Sequence, residues 1–298
     1  MTQGNPSGAG RPAQYKMKVE KGITVTMRDG VRISLCVYRP DAPGEFPALF
    51  AASPYQYEMD EVPAYPLFLW RETGPVEWYV GQGYAYVHAD VRGSGRSEGE
   101  FSFMGKDEQN DYAELIAWIA KQEWCTGKIG TYGGSQAGYA QNFLAITQPP
   151  HLVAQYMTDT GLSLFQEGYR IGGVTRPERF KSMAKVARDP AENDAWLAET
   201  FLHPNYDDYW RDEDCSLHFA KMNVPCFTIG SWYDFMCQGS VMSYLGRQHS
   251  AGPNSRGHQQ LIIGPWLHGG YPKSNKIGEL TYPTNAFFDV YAHMTKWF

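Results

Sequence analysis

The 298-residue chain is predicted to be an α/β protein, a mostly parallel sheet with helices on both faces. Three observations predict it. Short apolar runs alternate with helical patterns over most of the length, as strand–helix crossover units require. Several of those runs end in a polar or Gly-rich stretch, which is where open α/β sheets build their sites. One block, from about Gly161 to Met222, breaks the rhythm: it is helical, aromatic and charged, with no strand expected between its ends. Placed between two strands, it is expected to form a helical cap over the C-terminal edge of the sheet.

The elements follow in order. "GITVTMRDGVRISLCVYRP" sets two β-rich runs around Arg28-Asp29-Gly30, a hairpin signal. "PALFAA" is a buried strand ending at Ser53-Pro54, and "YAYVHAD" is another, running into "VRGSGRSEG". In "DEQNDYAELIAWIAKQ", Tyr112, Leu115, Ile116 and Ile119 recur at the spacing of one helix face. "KIGTYGG" is a strand entering a turn, and "QAGYAQNFLAITQ" is helical. "LVAQYMTD", "PCFTIGSWYD" and "QQLIIGPWLHGG" are three further strands; "NAFFDVYAHMTKWF" is a helix without a Gly or Pro stop signal. The expected division is a disordered Gly/Pro/Ser tail at 1–20, a core at 21–160, the cap at 161–222 and the rest of the core at 223–298. The chain reads as a piece of something longer.

Composition narrows the function. A hydrophobic fraction of 43% suffices for a packed core. A net charge of -6 without charge runs argues against nucleic acid, whose phosphates need a concentrated basic face. Cys36, Cys125, Cys215, Cys226 and Cys237 are odd in number and scattered, with no C-x-x-C pair, which points to a reducing compartment. No leader-like apolar region opens the chain and no run is long enough to span a bilayer, so a cytoplasmic protein with no membrane partner is expected. His88 lies inside a strand and no H-E-x-x-H occurs, so neither a metal nor a cofactor is expected. "RGSGRSEG" lacks the endings of a phosphate loop and is read as a tight turn, with Asp90 and Arg92 tying loops together.

The chemistry centres on "YGGSQAG", Tyr132 to Gly138. A nucleophile elbow needs a strand leading in, a helix leading out, and small residues two before and two after the serine, because the tight turn crowds those positions. Ser135 has Gly133 before it and Ala137 after it, and the backbone N–H of Gln136 would face an oxyanion from the start of the helix. An ordinary turn with an incidental serine fits this stretch equally well. Such enzymes carry their acid and histidine on later strand ends, in the order Ser, acid, His. Of the seven downstream histidines, His268 in "LIIGPWLHGG" lies just past a strand and before glycines. Asp234, after the preceding strand, is the acid that would orient it; Asp159, at the end of "LVAQYMTD", is the rival. These residues point to the α/β-hydrolase fold.

"DVRGSGRSEGEF", "IGTYGGSQAGYAQ", "IGSWYDF" and "IIGPWLHG", in that order, resemble the CocE/NonD (S15-type) hydrolases, which include cocaine esterase, α-amino-acid ester hydrolases, glutaryl-cephalosporin acylases and X-Pro dipeptidyl peptidases. The resemblance runs from about Val25 to the end. It implies Ser135 as nucleophile, Asp234 as acid, His268 as base, and Tyr55 of "SPY" as a side-chain oxyanion donor beside the Gln136 N–H. Family members commonly have Tyr where Gln136 stands, making this position a candidate for divergent specificity. They usually continue into a C-terminal β jelly-roll, which is expected to be absent or to lie outside this chain. The amino-ester hydrolases use acids to hold an ammonium group; after Asp159 only Glu167 offers itself.

The expected reaction is ester hydrolysis through an acyl-enzyme, on a small-molecule substrate. Trp232, Tyr233 and Trp266 are expected to wall an acyl pocket, with Tyr206, Tyr209 and Trp210 at its entrance. An amidase or acylase, an X-Pro dipeptidyl peptidase, and an inactive binding protein on the same fold are the alternatives. The reading leaves room for a homo-oligomer.

Overall fold

The computed structural model describes residues 12–55, 72, 74, 76–171, 173–178, 188–268, 275–288 and 290–298. Their centre is an eight-stranded sheet formed by β1 (Met17–Thr26), β2 (Arg32–Pro40), β3 (Phe46–Ser53), β4 (Ala85–Asp90), β5 (Cys125–Gly134), β6 (Leu152–Thr158), β9 (Cys226–Tyr233) and β10 (Gln259–Leu267). The spatial order is β1-β2-β4-β3-β5-β6-β9-β10. β2 pairs antiparallel with both its neighbours, and every pairing from β4 to β10 is parallel. β1 begins at Met17, inside the stretch expected to be tail. Most of its side chains are exposed, with Met17, Glu20 and Ile23 half-buried and Val25 buried, and the β2 ladder supplies the order that Gly/Pro/Ser content alone argued against.

Alternation along the strands feeds two cores. Ala48, Phe50 and Ala52 of β3 join Tyr112, Leu115, Ile116 and Ile119 of α2 (Lys106–Ala120) and Phe143 and Leu144 of α3 (Ser135–Ile146) on one face. Leu49 and Ala51 point to the other face, with Tyr79 of α1 (Val76–Gly81), Tyr132, Tyr156, Phe227, Trp266, and Val290 and Met294 of α7 (Val290–Trp297). Tyr132, Tyr156 and Phe227 stack across β5, β6 and β9 at 5.6 and 5.2 Å between ring centroids. The parallel strands are buried on both faces, which is why they read as continuous apolar runs rather than alternating ones.

Residues 161–222 contain a π-helical turn at Leu164–Gly168, a short hairpin of β7 (Arg170–Ile171) and β8 (Val174–Thr175), α4 (Pro190–Leu202), α5 (Asp208–Arg211) and a 3-10 turn at Cys215–Lys221. The two-residue hairpin corrects the expectation that no strand lies here; so short a ladder leaves no hydrophobic period to read. Trp196 of α4 packs on Phe101, Phe103 and Tyr169, and the Arg188 N–H donates to the Gly93 carbonyl at 2.7 Å, so this block joins the loops after β4. α6 (Cys237–Ser250) follows β9, and β11 (Lys276–Ile277) and β12 (Leu280–Thr281) form a small hairpin after β10.

In "RGSGRSEG" the Arg92 guanidinium grips buried Asp111 with two bonds of 2.9 and 2.7 Å and reaches Asp29 at 2.8 Å. Asp90 accepts from the Arg96 N–H at 3.2 Å. Gly93 lies at φ +70, and a Cβ there would stand 2.3 Å from the Phe101 nitrogen. The stretch is a structural clasp between the hairpin loop and α2. The cysteines are all free, and no described helix is long and apolar enough to cross a membrane.

Candidate active site

Ser135 is the first residue of α3, directly after β5, at φ +50, a region uncommon for a residue with a side chain. The turn closes only because its flanks are small. A Cβ on Gly133 would come within 2.5 Å of the Ala137 Cβ, and one on Gly134 within 2.5 Å of Thr158 Oγ1. Gly133 and Ala137 therefore face each other across the elbow, and one methyl fills the space the two positions share.

His268 stands just past β10, and its Nε2 lies 2.9 Å from Ser135 Oγ. Its Nδ1 lies 2.9 Å from Asp234 Oδ1. Asp234 sits in the turn after β9, its N–H bonded to the Ser231 carbonyl at 3.1 Å and its own carbonyl accepting from the Cys237 N–H at 3.2 Å. The turn fixes the carboxylate, which is wholly buried, and Phe235 packs its ring 4.9 Å from the imidazole. Asp159 is the rival acid in sequence only. It follows β6 at φ +46, is 3% exposed, and donates its N–H to Ile229 O at 2.8 Å. Ligating-type atoms of Asp159, Asp234 and His268 all lie within 4.8 Å of one another, but the hydrogen bond to the imidazole comes from Asp234.

Burial alone would drive the His268 pKa down. The hydrogen bond to Asp234 and the negative charges of Asp234, Asp159 and Glu72 outweigh it and hold the imidazolium above its ordinary range. The geometry can therefore take the Ser135 proton onto Nε2 and stabilise the resulting cation from behind.

Other predicted residues fare differently. The Gln136 N–H, in the first turn of α3, donates to Glu72 Oε2 at 2.9 Å, and the Gln136 side chain is fully buried with Nε2 3.7 Å from Met104 Sδ. The helix turns this side chain into the core, so what the position offers a substrate is its backbone N–H. Trp266 is 4% exposed and donates its indole N–H to Ala286 O at 2.9 Å. Alternation along β10 sends it to the α7 face, so it packs the core and walls no pocket. Trp210 is buried and bonded to His203 O at 2.9 Å, so it does not stand at an entrance. Tyr209 pairs with Thr200 at 2.9 Å and stacks on His203. Tyr206 is partly exposed and donates to Asp214 at 2.8 Å. Trp232 and Tyr233, at the end of β9, are exposed, and both contact Tyr282. Tyr55 is half-buried just past β3, its N–H 3.3 Å from Ser53 Oγ. Glu167 is buried within its own loop, bonded to the Leu162 N–H at 2.8 Å, and burial pushes its pKa up to about 7, leaving it no access to a substrate ammonium.

Sequence reasoning missed Glu72. Its Oε2 accepts the Gln136 N–H at 2.9 Å, and its carbonyl accepts the Gly134 N–H at 2.8 Å. The local pattern, "RETGPVEW", carries no sign of this; the contact spans 64 residues and depends on the folded sheet.

Fold and triad together define a class: a Ser–His–Asp site on the elbow of an α/β-hydrolase sheet. Residues 29–270 match the model of the X-Pro dipeptidyl-peptidase (S15) family, and the chain belongs to that family. It is 27% identical over 327 residues to cocaine esterase of Rhodococcus sp., covering 91% of this chain and 54% of that protein. A solved CocE/NonD family hydrolase from Staphylococcus aureus superposes with a TM-score of 0.72 at 26% identity, covering 85% of this chain and 47% of that one. An α-amino acid ester hydrolase shares the fold, with a TM-score of 0.75 at 20% identity over 93% of this chain and 53% of that one. The chain thus spans about half the length of these relatives.

Proposed function

We propose that the protein is a serine carboxylesterase working through an acyl-enzyme. The observation that carries this reading is the continuous chain Ser135 Oγ–His268–Asp234, at 2.9 Å on each side of the imidazole. His268 Nε2 takes the Ser135 proton as Oγ attacks the ester carbonyl. The same nitrogen then protonates the leaving alcohol, and a water activated by it releases the acid. The Gln136 N–H, at the positive end of α3, holds the oxyanion; Tyr55 is assigned as the second donor. The names of the relatives, cocaine esterase and a putative serine esterase of Mycobacterium bovis, support ester over amide chemistry. Glu167, the acid the sequence offers for an amino-ester reading, is buried and internally bonded, so that reading gains nothing from it. The 161–222 block is assigned as cap, Trp232, Tyr233 and Tyr206 as pocket or entrance residues, and the cysteine pattern supports a cytoplasmic location. The test is labelling with a fluorophosphonate and turnover of p-nitrophenyl esters. Ser135 should label and Ser135→Ala should lose turnover while keeping its circular dichroism; an unlabelled Ser135 in folded protein refutes the reading.

A further inference from the structure

Beneath the elbow lies a strained turn that the triad itself does not account for. Phe103 and Met104, just before α2, stand at φ +24 and +69, a region uncommon for residues with side chains. Buried groups of α2 hold Met104 there. Glu108 Oε2 accepts the Met104 N–H at 2.9 Å, and the Gln109 side-chain amide donates to the Met104 carbonyl at 2.9 Å. The Tyr112 hydroxyl donates to the other Glu108 oxygen and lies 3.8 Å from Met104 Sδ. Glu108 and Tyr112 are each 1% exposed, and Met104 is fully buried. The same sulfur is what the Gln136 side chain rests on. Its Nε2 donates to Sδ at 3.7 Å, and among the described residues no donor reaches its buried Oε1. Glu108 is thus connected, through Met104, to the residue that follows the nucleophile. The Gln109 amide also reaches the Asp212 carbonyl at 3.1 Å, which ties the turn to the 161–222 block.

We propose that Glu108 is a positioning residue for acyl transfer: by holding Met104 at positive φ it seats the Gln136 side chain, and so aims the Gln136 N–H at the oxyanion. The proposal rests on the serine-esterase reading above. A glutamate in the first turn of a helix commonly reaches back to a backbone N–H and does no more than cap the helix. Three features here exceed a cap. The residue it bonds is held in an unfavoured conformation, which a cap does not require. That residue is gripped at both its N–H and its carbonyl by buried side chains. Its own side chain then meets Gln136, 32 residues further on. An oxyanion donor acts only when its N–H stands about 2.7 to 3.1 Å from where the charge develops. A small displacement of the first turn of α3 is therefore felt in the transition state and hardly at all in substrate binding.

The test counts active sites by fluorophosphonate labelling run to completion. Turnover of p-nitrophenyl butyrate per labelled site is then measured in wild type, Glu108→Ala, Glu108→Gln and Met104→Leu. An alkyl trifluoromethyl ketone, to whose carbonyl Ser135 Oγ adds while His268 takes the proton, reports the oxyanion site directly. Removing an oxyanion donor costs about 10² to 10³ in kcat, and a donor that is displaced but not removed should cost part of that. Glu108→Ala should therefore lower kcat per labelled site about tenfold and weaken the ketone about tenfold, with KM within about twofold of wild type. Glu108→Gln keeps an acceptor for the Met104 N–H and should restore kcat to within about twofold. Met104→Leu keeps the bulk but takes away the sulfur that Gln136 Nε2 bonds, and should lose about threefold. A role confined to capping α2 gives a different result: fewer labelled sites, each turning over as in wild type, with the ketone bound as tightly. That result for Glu108→Ala, or a loss that Glu108→Gln fails to restore, overturns the proposal. Where Glu108→Ala does not fold, Met104→Leu decides in the same way. An unlabelled wild type sinks the esterase reading and takes this proposal with it.

Discussion

Asp159→Asn separates the charge around His268 from the hydrogen bond that orients it. The substitution removes one negative charge and alters neither partner of the Ser135–His268–Asp234 chain. Asparagine also tolerates the left-handed backbone found at this position, φ +46, at least as well as aspartate. Polar atoms of Asp159 and His268 lie within 4.8 Å of each other. At an effective dielectric of about 20, two unit charges at that spacing interact by about 3.5 kcal/mol, equivalent to about 2.5 pH units. The His268 side chain is 29% exposed, and solvent screening reduces this, so a displacement of about one unit is expected. The sign follows from what the base must do. Imidazolium cannot accept the Ser135 proton, so activity rises as pH rises through the His268 pKa. Anionic neighbours hold that pKa above its ordinary range, against the pull of burial. Removing one of them lowers it, and activity should extend to lower pH. The assay is kcat/KM for p-nitrophenyl butyrate over about pH 4.5 to 9, with the acid limb expected to move down by about one unit and the plateau to change little. Asp234→Asn is the contrast: it takes away the acceptor for Nδ1–H and should cost about 10⁴ in kcat. An acid limb that stays put or moves up in Asp159→Asn refutes the electrostatic account, and a collapse of kcat in Asp159→Asn alone would reverse the assignment of the acid.

Two further predictions concern the frame. Arg92→Met leaves the buried Asp111 carboxylate without the two guanidinium bonds it now accepts; urea unfolding should show a loss of about 3–5 kcal/mol, and a loss under about 1 kcal/mol would make the clasp an ordinary surface pair. Gly133→Ala drives a Cβ to 2.5 Å from that of Ala137, at a turn with backbone on both sides; melting and fluorophosphonate labelling should both fall, with about 1–3 kcal/mol lost, and Ala137→Gly in the same chain should recover part of it, whereas an additive pair would show that the two positions do not meet.

Much of this was legible because the chemistry sits at strand ends. Ser135, Asp234 and His268 each follow an apolar run that the sequence displays openly, and the parallel sheet brings those ends to one edge. Its place just past a strand and before glycines singles out His268 from the seven histidines downstream of Ser135. Distance was needed to separate Asp234 from Asp159, since both follow a strand and both approach the imidazole. Aromatic residues were misread for a related reason. Trp266 stands next to the site in sequence, but a strand sends successive side chains to opposite faces, and its parity puts it under α7. Trp210 shows the same limit in a helix, where an aromatic near a mouth in sequence serves the core.

Gln136 and Glu72 carry that lesson to the substrate. The residue after the nucleophile looks like the place where this chain departs from its relatives, because its side chain differs. The fold places that side chain elsewhere: φ +50 at Ser135 starts a helix whose next side chain turns inward to Met104, while the Gln136 N–H donates to Glu72 Oε2. Any identity at that position that packs there presents the same donor. What varies the donor's behaviour is the group resting on it, and that group is a carboxylate delivered from 64 residues upstream. Local rules are broken at both partners, a serine and a glutamate each at positive φ, and such conflicts between local preference and fold concentrate where function is built.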